Sequence, residues 1–343
     1  VATPSIKGLA DTNTTVKIYR EGTCTAAVVG SGSAAGFADT GLQVASVVDA
    51  GTYQFWAAVA DTAGNPSACS STSVSYVFDN VAPSAPVALT TTPGSPANMN
   101  DAGIRGTAES TGWVRIHTNN TCDGGVVGQG TGTQFAAASG IGVQVLNDTT
   151  TTYWASQQDE AGNKSACSAT VDASVTYRED SLFPPTPTVL TVLPASPANN
   201  NTPKVSGTLS GINSYDIDAS IVRIFTDAGC TGLAAQGSDY DFRVGGGIQV
   251  SQTGNTTVTY YAHVIDPAGN DGGCSATGVA YTEDSIPPAT ATSVLTVPWG
   301  NANSNANNNS PKVRGVIPLD AGDPGNTTIR VFSNSPCTTF VAQ

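Results

Sequence analysis

The stretch DTAGNPSACS, Asp61 to Ser70, returns as DEAGNKSACS from Asp159 and as DPAGNDGGCS from Asp266. Each copy opens on Asp, sets Gly-Asn three and four residues later, and ends on Cys-Ser. The seven cysteines keep the same rhythm: Cys24, Cys69, Cys122, Cys167, Cys230, Cys274 and Cys337. First to second cysteine is 45, 45 and 44 residues, and first to first is 98, 108 and 107. A chain that writes one unit repeatedly at this period folds as an array of like domains, not around one core.

Each unit starts on an acidic residue and a Pro-rich stretch: DNVAPSAP from Asp79, EDSLFPPTP from Glu179, EDSIPPAT from Glu283. An apolar strand follows (PVALTT, TVLTVL), then a Pro/Asn stretch, then a strand pair such as GIRGTAES and TGWVRIHT. The first Cys comes just after that pair. A Gly-rich section, an aromatic strand (TYQFWAAVA, TTYWASQQ, TVTYYAHVI), the Ala-Gly-Asn turn and a closing strand complete the unit. In WVRIHT, Trp113, Arg115 and His117 share one face and Val114 and Ile116 the other, the period of two of a half-buried strand. About seven such strands per unit, with no helical period, predict an all-β protein of tandem immunoglobulin-like β-sandwiches of ~100 residues in an elongated array. The boundaries are 1–78 (opening strand missing), 79–178, 179–282 and 283–343 (truncated).

The Ala-Pro-x-x-Pro linker, the [VI]-x-Gly-Thr strand, the [VI]-[RK]-[IV] strand and the Asp-x-Ala-Gly-Asn turn resemble the tandem bacterial Ig-like (Big) domain repeats of large surface adhesins and extracellular fibre proteins. The resemblance covers the whole chain. It implies a stalk or fibre role, and it also implies Ca²⁺-binding linkers.

Only 11% of residues are charged, against about 25% in soluble proteins generally, and the net charge is −13. No Lys/Arg cluster is present to neutralise phosphates, so nucleic acid is excluded as a partner. No apolar run reaches the ~20 residues of a membrane-spanning helix, and no membrane contact is expected in this segment. The two ends read as interiors of domains, so the chain is expected to be part of something longer.

Ala-Gly-Asn is turn chemistry, since Gly and Asn tolerate positive φ. That alone does not account for the Asp before it. On an Ig-like topology this turn and the turn after the second strand lie at the end where the acidic linker arrives. Asp79 then meets Glu109, Asp159 and Asn163. Glu179 and Asp180 meet Asp216, Asp218, Asp266 and Asn270. Glu283 and Asp284 meet Asp320 and Asp323. Carboxylates gathered this way repel one another unless a cation joins them, and Ca²⁺ takes six to eight such oxygens. A Ca²⁺ clamp at each junction is the expectation.

The cysteines lack zinc spacing, and their regularity points to disulfides in an oxidising, extracellular setting. Parity suggests pairs within domains: Cys24–Cys69, Cys122–Cys167 and Cys230–Cys274, with Cys337 pairing elsewhere. Topology suggests otherwise. If the second Cys sits at the Ala-Gly-Asn end and the first at the opposite end, roughly 20 Å separates them at ~3.3 Å per residue, too far for a disulfide. Cross-domain pairs Cys24–Cys167 and Cys122–Cys274 are therefore favoured, with the intradomain set as the alternative.

His117 and His263, the only histidines, sit in strands with no nucleophile arranged beside them and read as structural. Trp113, Tyr153-Trp154 and Tyr260-Tyr261 alternate faces, so one of each pair is core. Asn-x-Ser/Thr sequons at Asn13, Asn119, Asn147, Asn200, Asn255 and Asn326 are what an Asn/Thr-rich chain produces by chance. No enzyme is expected. The expected role is a structural or adhesive segment of a secreted or cell-surface bacterial fibre, with self-assembly or a surface receptor or matrix as partner. The rival readings are a glycan- or receptor-binding module and a non-catalytic spacer of a secreted enzyme.

Overall fold

The computed structural model describes residues 2–297, 312–317, 328–333 and 336–342. The chain divides into two compact units, Val1–Ser181 and Leu182–Gln343. The first unit holds two β-sandwiches. The second holds one, followed by the described strands of a fourth repeat.

The second sandwich shows the plan. One sheet runs Val126–Thr131, Trp113–His117, Thr150–Gln158, Val175–Arg178, and the other Ile141–Gln144, Asp101–Thr107, Val87–Thr92. All pairs are antiparallel, with Trp113 opposite Gln158 and His117 opposite Trp154. The period of two carries straight into the core: Val114 and Ile116 are fully buried while Trp113 is 48% exposed. They pack with Ile104, Phe135, Tyr153 and Tyr177 between the sheets. The third sandwich repeats the plan with Ile221–Phe225 and Thr257–Ile265 central in one sheet and Lys204–Thr208 central in the other. In the first sandwich, Thr15–Tyr19 and Gly51–Ala60 are central in one sheet, and Ser5–Ile6 pairs Leu42–Gln43 in the other. The fold is all-β, a tandem of immunoglobulin-like sandwiches.

One departure from expectation recurs. The Gly-rich section of each sandwich contains a five-residue helix: Ala34–Ala38, Gly132–Ala136 and Asp239–Arg243. Ser33, Thr131 and Ser238 cap them, their hydroxyls accepting the N–H of Gly36, Gln134 and Asp241 at 3.0–3.1 Å. Five residues are too few to display a 3.6-residue period, so periodicity did not reveal them. Each helix drives a phenylalanine, Phe37, Phe135 or Phe242, into the core. Opposite each ring stands the glycine of the strand motif. A Cβ on Gly8, Gly106 or Gly207 would lie 2.5, 2.8 or 2.7 Å from it. The repeated Gly is there to admit the ring.

Phe135→Ala is expected to cost the second sandwich ~3–5 kcal/mol, as buried aromatic truncations do, and Gly106→Ala ~1–3 kcal/mol by overpacking. Hydrogen exchange resolved to peptides checks this: protection should fall within 87–178 and stay unchanged in the third sandwich.

The Asp-Asn turns and the candidate cation sites

The Asp before Ala-Gly-Asn closes the turn. Asp61 Oδ1 accepts the N–H of Ala63 and Asn65, both at 2.9 Å, and Oδ2 accepts the Asn65 side-chain amide at 3.0 Å. Asp159 holds Asn163 the same way, at 2.8 and 2.9 Å, and Asp266 holds Asn270 at 2.8 Å through both oxygens. Gly64, Gly162 and Gly269 take positive φ between the two residues. Hydrogen bonding to the charged form lowers a carboxyl pKa. Asp61 is lowered chiefly by the Asn65 side chain. For Asp159, desolvation pushes upward, and the Asn163 hydrogen bonds outweigh it.

This turn decides the disulfides. Beyond it the chain runs back along the aromatic strand. Lys164 pairs Gln158, Ser165 N–H donates to Gln157 O, and the Ser168 hydroxyl accepts Ala155 N–H. Cys167 therefore sits well down the sandwich, not at the turn. Cys122 meets it there with a Cα–Cα distance of 5.5 Å. Cys24–Cys69 and Cys230–Cys274 form likewise, at 5.4 and 5.9 Å. The cross-domain pairs Cys24–Cys167 and Cys122–Cys274 are thus replaced by pairs within each sandwich. The separation of roughly 20 Å at ~3.3 Å per residue overlooked the returning segment, which brings the second Cys back toward the first. Cys337 is an exposed free thiol.

Acids missed in the sequence hold the loop on the other side of the bond. Glu21 accepts the N–H of Thr23, Thr25 and Ala26, which lowers its carboxyl to about 2, Ala26 contributing most. Asp227 accepts from Gly229, Thr231 and Gly232. Each loop turns through its cysteine in the left-handed region, at φ 53° for Cys24 and Cys122 and 51° for Cys230. An acid three residues before Cys24 and Cys230 was the available signal.

In the first unit, Asp79, Glu109, Asp159 and Glu160 line one polar cleft of about 290 Å³. Asp79 Oδ1 accepts Val81 N–H at 2.9 Å, and Glu109 Oε1 accepts Ser84 N–H at 3.0 Å. The Asn163 amide donates to Asp79 O at 3.2 Å, tying turn to linker. Within this unit no three acidic side chains bring ligand oxygens within 4.8 Å of one another, among the described residues. The cleft is roomy enough for a hydrated cation, at roughly 30 Å³ per water.

In the second unit, Asp216 and Asp266 are both buried and bring carboxylate oxygens within 4.8 Å of each other. Asn213 donates its side-chain amide to Asp216 at 2.5 Å, and Asn270 bonds both Asp266 and Leu182 O. Two carboxylates this close repel one another while both are charged. Carboxylate oxygens suit a hard divalent ion, while the Asn213 and Asn270 side chains turn their NH2 groups to them.

Further contacts hold the other acids. Asp218 pairs with Arg243 at 2.9 Å. Glu179 is buried and accepts Asp148 N–H at 2.6 Å, and Glu283 repeats this on Asn255 N–H. Asp148 and Asn255 are left-handed, at φ 56° and 58°, so these glutamates lock a turn of their own sandwich. Asp180 is buried against Arg178. Asp284 caps Ile286 N–H. Asp320, Asp323 and the sequon at Asn326 lie outside the described residues. His117 bonds Gly124 O and the Ser156 hydroxyl, and His263 bonds Asp271.

No protein-family model matches the chain, and no curated protein matches it. Among solved structures, the FN1–FN3 domains of chicken CNTN1 align with 80% of this chain and 90% of their own, at 12% identity and a TM-score of 0.41.

Two outcomes follow. Non-reducing digestion should yield Cys24–Cys69, Cys122–Cys167 and Cys230–Cys274 peptides, and closing a loop of this length stabilises by about 4 kcal/mol on the chain-entropy estimate. Because Asp61, Asp159 and Glu21 are lowered in the folded state, their contribution is complete above the unfolded carboxyl range and drains away as pH falls below it, for Glu21 toward about 2. Asp159→Ala should therefore melt below the parent at neutral pH, and the gap should narrow in acid scans by calorimetry.

Proposed function

We propose that this chain is a structural segment of a secreted or cell-surface bacterial fibre, of the kind built from tandem bacterial Ig-like repeats, with Ca²⁺ held at its acidic turns. Three sandwiches in tandem, each closed by its own disulfide, support the extracellular structural role. Disulfides persist only where the surroundings are oxidising. The observation that carries the calcium reading is the buried Asp216–Asp266 pair. Asp216 and Asp266 would hold the ion by their carboxylates. In the first unit, Asp79 and Glu109 would do so across the wider cleft. The ion would supply positive charge that offsets carboxylate repulsion and would fix linker to turn. No reaction is involved. The role is mechanical, an adhesin stalk or the body of a filament.

Calcium affinities of extracellular modules lie near 10⁻⁴–10⁻³ M. At about 10 mM Ca²⁺ the bound state gains roughly 1.4–2.7 kcal/mol by mass action, several degrees for a domain of this size. Differential scanning calorimetry of the full chain should show that rise, with Mg²⁺ less effective. Asp216→Asn should remove most of the third sandwich's rise, and in chelator it should melt higher than the parent because one buried charge is gone. A melting profile indifferent to Ca²⁺ in parent and variant would refute the calcium clamp.

A further inference from the structure

The three disulfides share a plan but not their surroundings. In the third sandwich the segment after the Ala-Gly-Asn turn forms a strand, Asp271–Cys274, which pairs Thr257–Ile265 with Cys274 directly opposite His263. Residues directly opposite in an antiparallel pair share a face, with Cβ atoms about 4.5–5.5 Å apart. On the other side of His263 stands Arg223. One row thus crosses the sheet: Arg223, His263, Cys274.

The other sandwiches fill this row differently. Ser70 N–H donates to Ala57 O as Ser275 N–H donates to Ala262 O, which sets Cys69 against Ala58. The Ser168 hydroxyl accepts Ala155 N–H as the Ser275 hydroxyl accepts Ala262 N–H, which sets Cys167 against Ser156. Lys17 lies opposite Ala58, and Arg115 opposite Ser156. A cation one place removed is therefore common to all three rows. An ionisable residue directly opposite the second cysteine belongs, among the described residues, to the third alone. His117 of the second sandwich stands opposite Trp154. It is buried, with its ring nitrogens taken by Gly124 O and the Ser156 hydroxyl.

The two sulfurs of the third bond meet unlike charges. His263 bonds Asp271 through Nε2, and that bond is the chief cause holding the Asp271 carboxyl below its usual range. The Asp271 side chain is 61% exposed and its charge is met by water, whereas the His263 side chain is 13% exposed and packs on Phe225. On the Cys230 side stands Asp227, which accepts the N–H of Gly229, Thr231 and Gly232. These bonds, Gly232 foremost, hold its carboxyl low. A thiolate is favoured beside an imidazolium and disfavoured beside a carboxylate. Cys230 is also reachable: it is part-exposed, and Thr226, Ala228 and Gly229 of its loop are exposed, whereas Cys167 of the second bond is buried.

We propose that Cys230 is an exchange site for small soluble thiols, with Cys274 as the leaving group. The incoming thiolate attacks Cys230 Sγ. A bond forms between those two sulfurs, the Cys230–Cys274 bond breaks, and its electron pair stays on Cys274 Sγ as a thiolate beside His263. The thiol is oxidised into the mixed disulfide and Cys274 is reduced, so no further oxidant or reductant enters. A thiol leaves faster the lower its pKa, and the imidazolium opposite Cys274 supplies that lowering.

The test exposes the oxidised full chain to reduced glutathione between about pH 5 and 8, where imidazoles change charge. N-ethylmaleimide stops the reaction, and peptide mass spectrometry reads each cysteine. Dividing by the opening rate of Cys122–Cys167 in the same sample removes the titration of glutathione itself. The expected result is glutathione on Cys230 and maleimide on Cys274, with this bond opening about tenfold or more faster than the other two. That advantage should decline as pH rises and the imidazolium is lost. His263→Ser, which places the second sandwich's residue in the third, should erase both the advantage and its pH dependence. His263→Arg should keep the advantage and lose the pH dependence. Three bonds that open alike overturn the proposal, as does a His263→Ser chain with the parent's rate and profile. Glutathione on Cys274 and maleimide on Cys230 would overturn it too, because the leaving group would then be the wrong sulfur.

Discussion

The closure of Asp onto Asn across Ala-Gly is the interaction on which the rest of each sandwich depends. It reverses the chain tightly enough that the next residues run back along the aromatic strand. That return carries the second cysteine down to the loop held by Glu21 or Asp227, where the first cysteine waits in a left-handed turn. In the first and third sandwiches the disulfide is thus the product of two acid-capped turns. The same Asn side chain also bonds the arriving linker at Asp79 O or Leu182 O, so one residue serves both the sandwich and its connection to the chain before it.

Much of this was legible from the chain alone. The period of the cysteines marked the repeat, and the alternation in WVRIHT separated Val114 and Ile116 from Trp113 as the core does. The short helices escaped because five residues hold no periodic signal, although the Ser or Thr cap before each Phe was written in all three. Disulfide pairing was misjudged because strand lengths were counted and the returning segment was not. That segment is stabilised by Ser165 and Ser168 hydroxyls accepting backbone N–H groups, an arrangement with no hydrophobic pattern to betray it.

The acids were read as one class, and the fold sorts them into several. Glu179 and Glu283 lock left-handed turns inside their own sandwiches, and Asp218 neutralises Arg243. Asp159 and Asp266 close the Ala-Gly-Asn turns. The candidates for a cation within each unit are Asp216 beside Asp266, and the Asp79 and Glu109 cleft. Charge-poor surfaces make these few acids stand out. They also leave strand edges with little electrostatic protection against pairing.

The central claim is that disulfide-closed sandwiches are linked through turns that bind calcium. Small-angle X-ray scattering of the full chain in Ca²⁺ and in chelator, at concentrations low enough to keep it monomeric, tests it most directly. The account predicts a larger radius of gyration and a narrower spread of conformations in Ca²⁺ than in chelator, with the disulfides intact in both. Identical profiles in the two conditions would contradict it and leave calcium no part in holding the repeats.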